Sequence, residues 1–184
     1  MNEKKINEEL KADEKLIWSD APEGFTTFDK THKSSLLIAI IVPLVIAVAL
    51  TLWYILSAEV VDAMILILIL MFAVMLVIPK LAAASVLEHD VCYALTDKRF
   101  FSYTSSSAVT SVPLNTIKDY EFKTDSDGHY YFVCGEKALG LGVEKLRDRA
   151  TNDSVINKDV CTSYVMYGIT KIDELKQALK LCEI

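Results

Sequence analysis

From Leu36 to Leu56 the chain reads LLIAIIVPLVIAVALTLWYIL, a run without a single charge. As a helix rising about 1.5 Å per residue it reaches roughly 30 Å, the thickness of a bilayer's hydrocarbon core. After Ser57-Ala-Glu-Val-Val-Asp62 a second uncharged run extends from Ala63 to Pro79. Hiding both runs inside a soluble globule would require a large surrounding protein, and the rest of this chain is too short and too charged for that. The pattern predicts a transmembrane helical hairpin, with spans 36–56 and 63–79 and a short outer loop 57–62.

The whole chain agrees. It has 184 residues, 52% of them hydrophobic, and a mean hydropathy of +0.31, which is greasy for one ordinary soluble domain and short for two. The formal charge is −6, from 19 Lys+Arg against 25 Asp+Glu, so concentrated positive charge for a phosphate backbone is missing and no nucleic-acid partner is expected. Residues 1–35 hold 6 basic and 8 acidic side chains, 36–87 hold 1 and 2, and 88–184 hold 12 and 15. No block attracts anionic lipid through net charge.

Thirty-five mostly polar residues precede the first run, and no small-residue cleavage site ends it, so neither run reads as a cleaved signal. Lys30, Lys33 and Lys80 flank the two runs, whereas the connection carries Glu59 and Asp62 without Lys or Arg. The positive-inside rule then puts both termini in the cytoplasm of a multi-pass cell-membrane protein. Trp53 and Tyr54 suit the outer headgroup level, or packing between helices. Pro43 removes one helical donor and should kink the first helix. Cys92, Cys134, Cys161 and Cys182 show no C-x-x-C spacing and read as isolated buried thiols in a reducing compartment.

Beyond Glu88 the periodicity becomes that of strands. Residues 91–95 and 99–103 flank the polar interval Thr96-Asp97-Lys98. Ser105 to Ser107 breaks the chain before a strand at 109–114. Further strands are read at 118–123 and 129–134, joined through Asp127-Gly128 as a two-residue I′ hairpin turn, and at 160–167. Residues 138–159 are ambiguous; 144–150 suits a short helix or a charged loop. Thr170 is placed to cap a helix at about 171–183, in which Ile172, Leu175, Leu179 and Cys182 form one apolar stripe for docking on a sheet. In the N-terminal segment 1–35, residues 14–18 form a candidate strand that returns to the C-terminal sheet. The soluble part thus offers about seven strands and one terminal helix, an orthogonal sandwich or open barrel interrupted by the apolar hairpin.

Three short stretches stand out, Glu14 with Trp18 and Pro22, Tyr93-Ala-Leu-Thr-Asp-Lys-Arg99, and Pro113-Leu-Asn-Thr-Ile117, and on them the chain resembles the bacterial pleckstrin-homology-like (bPH) membrane proteins. Glu14, Trp18 and Pro22 match an N-terminal Glu-x-x-x-Trp segment with a following Pro, ahead of a two-helix hairpin. Tyr93-Ala-Leu-Thr-Asp-Lys-Arg99 matches Tyr-x-Leu-Thr-Asp/Asn-x-Arg, and Pro113-Leu-Asn-Thr-Ile117 matches Pro-Leu-x-x-Ile. The resemblance implies an α+β membrane protein whose cytoplasmic PH-like domain, 80–184, is a seven-stranded bent β-barrel or sandwich capped by the C-terminal α-helix. Lys98 and Arg99 are the candidate headgroup or partner contacts. The plainer reading is structural: Thr96 and Asp97 hydrogen-bond the turn backbone while Arg99 begins the next strand. Phosphoinositide-binding members of the wider superfamily carry a denser basic loop than this one, which Asp97 dilutes.

No catalytic constellation is read. His32, His89 and His129 are scattered, and His89-Asp90 would point to opposite faces of a strand. Asp125, Asp127 and His129 imitate the start of a calcium loop, with Glu136 at its twelfth position, but 129–134 is β-patterned where that loop must continue. Neither a phosphate-cradling glycine motif nor a nucleophile elbow occurs, and no cofactor or metal is expected. The expectation is a non-enzymatic membrane-anchored binding or scaffold module, engaging the bilayer and a protein or lipid partner at the inner face, further copies of the chain among the candidates. The alternative is a subunit of an oligomeric channel or transport complex, with Glu59 and Asp62 as an acidic ring. An exterior sensor is disfavoured by the short outer loop.

Overall fold

Trp18 and its neighbours alternate as a half-buried strand should, and they find their ladder far along the chain. The computed structural model describes residues 3–22, 26, 28–89, 91–104, 109–150 and 163–182. In it β1 (Leu16–Asp20) pairs antiparallel with β2 (Cys92–Thr96), with Trp18 opposite Leu95 and Asp20 opposite Tyr93. β2 pairs with β3 (Arg99–Tyr103), and β3 with β4 (Val109–Pro113), giving a four-stranded antiparallel sheet in chain order. β5 (Tyr120–Thr124), β6 (Tyr130–Cys134) and β7 (Tyr164–Tyr167) form a second, three-stranded antiparallel sheet. The fold class is mixed α+β. The segment Ser105–Ser107 and residues 160–162 lie outside the described residues.

Both sheets feed one core. Tyr93 and Leu95 of β2, Phe100 of β3, Phe132 of β6 and Tyr164 and Met166 of β7 are fully buried together, and the Phe100 and Phe132 rings sit 4.9 Å apart across the sheets. Strand alternation sends Cys92, Ala94 and Phe101 to the other face, yet these are buried too. Their cover is a short helix the sequence reading did not anticipate, α1 (Glu3–Glu9), whose Ile6 joins that second cluster with Leu10 and Leu16 packed against it. A sheet covered on both faces needs near-continuous apolar strands, which is why β2 is buried at every position.

After β6 the chain makes α4 (Glu136–Leu139), α5 (Val143–Leu146) and a 3₁₀ turn at Arg147–Arg149, so the ambiguous 138–150 stretch is helical turns. The terminal helix α6 spans Ile172–Leu181 and buries Leu175, Ala178 and Leu179 in the core. Thr170 does not cap it with its own oxygen. Instead Asp20 of β1 accepts the N–H groups of Thr170 (2.8 Å) and Lys171 (3.1 Å) and the Thr170 hydroxyl (2.8 Å), and the Trp18 indole donates to the Lys171 carbonyl (3.3 Å). A carboxylate from another element thus takes the orphan donors of the helix start.

The Asp127-Gly128 connection also differs from the two-residue turn expected. Gly128 N–H returns to the Asp125 carbonyl and Asp125 N–H to the His129 carbonyl, so three residues form the loop, and Gly128, at φ +89°, takes the left-handed position.

The chain divides into two compact units, Met1–Thr26 with Ser85–Ile184, and Thr27–Ala84. In the second, α2 (Lys33–Ser57) runs on through Pro43, and α3 begins at Ala63 and continues to His89. Among the described residues one helix, α2, is long and apolar enough to cross a membrane by length and composition; the apolar part of α3, Ala63–Pro79, is shorter. Only 6% of the most apolar window of α2 is buried within the chain, so it is not a core helix of this unit. The connection between the helices is tied by the Asp62 N–H to the Tyr54 hydroxyl (2.9 Å), and Asp62 caps α3 through the Met64 N–H (2.7 Å).

Because Asp20 serves three donors at the start of α6, Asp20→Ala is expected to lower stability by about 1–2 kcal/mol and to fray that helix end. Hydrogen exchange at residues 172–175 checks this: protection should fall there while β5 and β6 hold theirs.

Candidate functional site

The corner that carries Lys98 and Arg99 is built on the β2–β3 turn. Thr96 Oγ1 accepts the N–H groups of Lys98 (3.2 Å) and Arg99 (3.0 Å) and donates to the Arg99 carbonyl (3.1 Å), fixing the turn as the sequence suggests. Asp97 is spent differently. Its Oδ1 accepts the Lys15 N–H (2.9 Å) and its own N–H donates to the Lys15 carbonyl (3.2 Å), clamping the segment before β1.

Arg99 turns to the same segment. Its Nε and Nη2 donate to the two oxygens of Glu14 at 2.7 and 3.0 Å, Nη2 also reaches the Glu9 carbonyl at 3.1 Å, and the guanidinium carbon lies 5.0 Å from the centre of the Phe101 ring. The Glu14 side chain is 2% exposed and that of Arg99 13%. Burial alone would push the Glu14 carboxyl up, but hydrogen bonds from Arg99 and the Lys11 N–H, with the Arg99 charge, outweigh it and hold the group below the usual carboxylate range. Lys98 pairs with Asp13 on the exposed side of the turn, which raises the ammonium and lowers the carboxyl. The two residues read as headgroup contacts therefore share one corner, and both are engaged by acids of the same chain. An anion at Arg99 would have to displace Glu14 from a fork-to-fork pair.

A second polar cluster closes the β5–β6 hairpin. Asp125 Oδ1 accepts the N–H groups of Asp127 and His129, each at 2.9 Å, and Oδ2 meets His129 Nδ1 (3.0 Å) and the Tyr131 hydroxyl (3.1 Å). Four partners fill the four lone-pair directions of a carboxylate, leaving none for a cation. Among the described residues no group of three or more His, Cys, Asp or Glu is arranged to hold a metal ion. Glu136, the would-be twelfth ligand, starts α4. Burial would raise the Asp125 carboxyl, and the hydrogen bonds of His129 and Tyr131 bring it down instead; burial raises Tyr131, which stays a neutral donor.

The third arrangement was missed in the sequence. Asp29 holds His32 Nδ1 with both oxygens (2.7 and 2.8 Å) and accepts the His32 N–H (2.6 Å) at the entry of α2. The imidazole is 2% exposed, and its Nε2 has no hydrogen-bond partner among the described residues. The Asp-x-x-His spacing ahead of an apolar run was the available signal, of the kind that marks a helix start. Of the thiols, Cys92 and Cys134 are buried and Cys182 is half-buried, none of the three is in a disulfide among the described residues, and Cys161 lies outside them.

Compared with family models, curated proteins and solved structures, the chain matches none.

Removing Arg99 strands a buried carboxylate. Arg99→Ala is expected to cost about 2–4 kcal/mol, whereas Lys98→Ala should leave the unfolding midpoint unchanged because its pair is solvated. Denaturant unfolding of the two variants in detergent checks the contrast. Asp125→Ala, which orphans two N–H groups and a tyrosine hydroxyl, is expected to cost about 1–3 kcal/mol. Both carboxyls are depressed in the folded state, so their contribution is full above the unfolded values near pH 4 and fades as pH falls through the folded ones. Asp125→Asn should accordingly flatten the acid limb of a stability-against-pH curve.

Proposed function

We propose that the chain is a bPH-like membrane-anchored binding or scaffold module rather than an enzyme. In this reading α2 and α3 cross the cell membrane as a hairpin, and the β-domain with both termini lies in the cytoplasm, engaging a protein or lipid partner at the inner face. The observation that carries the reading is the β1–β2 ladder. β1 precedes both apolar helices and β2 follows them, yet the two strands exchange backbone hydrogen bonds. A chain that crossed once would leave them on opposite sides of the bilayer, so if α2 crosses, α3 must bring the chain back. The shorter apolar part of α3 can do this with local thinning of the bilayer or snorkelling at its ends. Lys30 and Lys33 on one side and Glu59 and Asp62 on the other support the cytoplasmic placement of the β-domain.

Support for the PH-like reading is the sequence of elements: four strands in order, then three in order, then a helix whose stripe enters the shared core. With Lys98 and Arg99 occupied by Asp13 and Glu14, recognition of a protein partner is favoured over a basic headgroup site at that corner.

The test is topological. Val60, 82% exposed in the connection, is changed to Cys and probed with a membrane-impermeant maleimide. Intact cells should label Val60→Cys and leave the wild-type chain with its native cysteines unlabelled. A chain that stays in solution without detergent, or native cysteines that label from outside, would sink the reading.

A further inference from the structure

An antiparallel sheet with one solvated face alternates apolar and polar side chains, and β2 to β4 do not. Tyr93, Leu95, Phe100 and Val112 fill the shared core, while Cys92, Ala94 and Phe101 point the other way and are only 0–2% exposed. Ala94 lies opposite Phe101, and Cys92 opposite Tyr103, which is paired in turn with Val109. These side chains make an apolar patch three strands wide, about 10 Å across the ladder and about 7 Å along the strands. Its cover is α1, and that helix is weak by itself. Among its described side chains only Ile6 is buried, and Asn7 and Glu8 are exposed. Seven residues fall short of the length at which a helix holds itself in water. Its last turn carries Glu8 and Glu9 and no basic residue, against the macrodipole. The sheet supplies what α1 lacks, a seat for Ile6 and a donor, Arg99 Nη2, for the Glu9 carbonyl (3.1 Å).

The segment behind α1 is anchored where α1 is not. Glu14 holds Arg99 with both oxygens, and Lys15 exchanges two hydrogen bonds with Asp97. Between the two lie Lys11, Ala12 and Asp13, all exposed, in a turn closed by the Glu14 N–H on the Lys11 carbonyl (3.0 Å). With that turn as hinge, α1 can leave while β1 keeps its register. We infer that the patch is a docking surface for a short amphipathic helix of a protein partner, and that α1 is a tethered stand-in covering it until the partner arrives. This deepens the binding-module reading above and rests on it. The stand-in shows the chemistry required. The partner helix presents branched apolar side chains at i and i+4, the spacing of Ile6 and Leu10, both of which pack in this cluster. A further one at i+7 or i+8 covers Tyr103 and Val109, which α1 leaves half-buried. That extra contact lets a free partner compete with a helix favoured by its tether. Arg99, with its guanidinium carbon 5.0 Å from the centre of the Phe101 ring, stands at the rim to receive the partner's last carbonyls in place of that of Glu9.

Two native thiols report the states, because Cys92 lies in the patch and Cys134 in the shared core. The full chain in mild detergent is treated with N-ethylmaleimide, and alkylation is mapped by mass spectrometry. Cys92 is expected to react at least about tenfold faster than Cys134, since α1 opens without the core. Ile6→Asp should speed Cys92 about a further tenfold and leave Cys134 unchanged, the unchanged rate showing the core intact. The binding probe is a synthetic peptide of residues 1–12, supplied at the roughly millimolar level that a short tether provides. It should bind the Ile6→Asp chain saturably and return Cys92 to its slow rate. The wild-type chain, with α1 in place, should bind it at least about tenfold more weakly. A peptide that itself carries Ile6→Asp should not bind. Cys134 rising together with Cys92 would show α1 to be an integral part of the core and overturn the inference. An opened Cys92 that the peptide fails to protect would overturn it too, as would equal binding to the two chains. None of these outcomes bears on the topology, which the Val60→Cys experiment decides by itself.

Discussion

The ladder between β1 and β2 is the constraint on which everything else depends. It joins strands that flank residues 21–91, and closing so long an excursion costs chain entropy before any hydrogen bond is gained. The structure offsets that cost by clustering specific contacts on one short strand and the two residues before it. Trp18 enters the core and reaches Lys171, Asp20 satisfies the start of α6, Lys15 exchanges two hydrogen bonds with Asp97, and Glu14 takes Arg99. Together these residues reach the β2–β3 turn, β3 and the start of α6, and each contact fixes register as well as adding energy. A slip by one residue would turn Trp18 away from the core and Asp20 away from α6.

Electrostatics here serves architecture. The two motif cations look outward in a sequence reading, but in the fold they tie down the N-terminal segment, one as a buried bidentate pair and one as a solvated pair. The same economy appears in the β5–β6 hairpin, where one carboxylate satisfies four donors, and at the entry to α2, where Asp29 holds His32. The Glu14 and Asp125 carboxylates stay ionised in partly apolar settings because their hydrogen bonds replace water.

The elements with strong local signals were legible in the chain. The uncharged run around Pro43, the alternation in 99–103 and 129–134, and the stripe Leu175–Leu179 lie in α2, β3, β6 and α6, with ends shifted by a few residues. Less legible was whatever depends on a remote partner. α1 escaped notice because within it only Ile6 is shown entering the core, with Leu10 just beyond its end, and seven residues are too few to be helical without the sheet beneath them. Thr170 looked like a cap because the real one, Asp20, lies at the other end of the chain. For the same reason the pairing of Arg99 with Glu14 could not be read from motif spacing, although both residues stood in the matched motifs.

The place of β1 in the fold also sets an order of events during synthesis. The ribosome delivers this strand first, its ladder partner only after both apolar helices have emerged, and the helix whose start it completes last of all. Throughout that interval Leu16, Ile17 and Trp18 form a nascent apolar strand with nothing to pair with, the kind of segment that seeds aggregation. Lys11, Asp13, Glu14 and Lys15 stand immediately before it and Asp20 closes it. Asp13, Glu14 and Asp20, which in the finished protein hold Lys98, Arg99 and the start of α6, stand with the two lysines where gatekeeper charges beside a waiting strand belong.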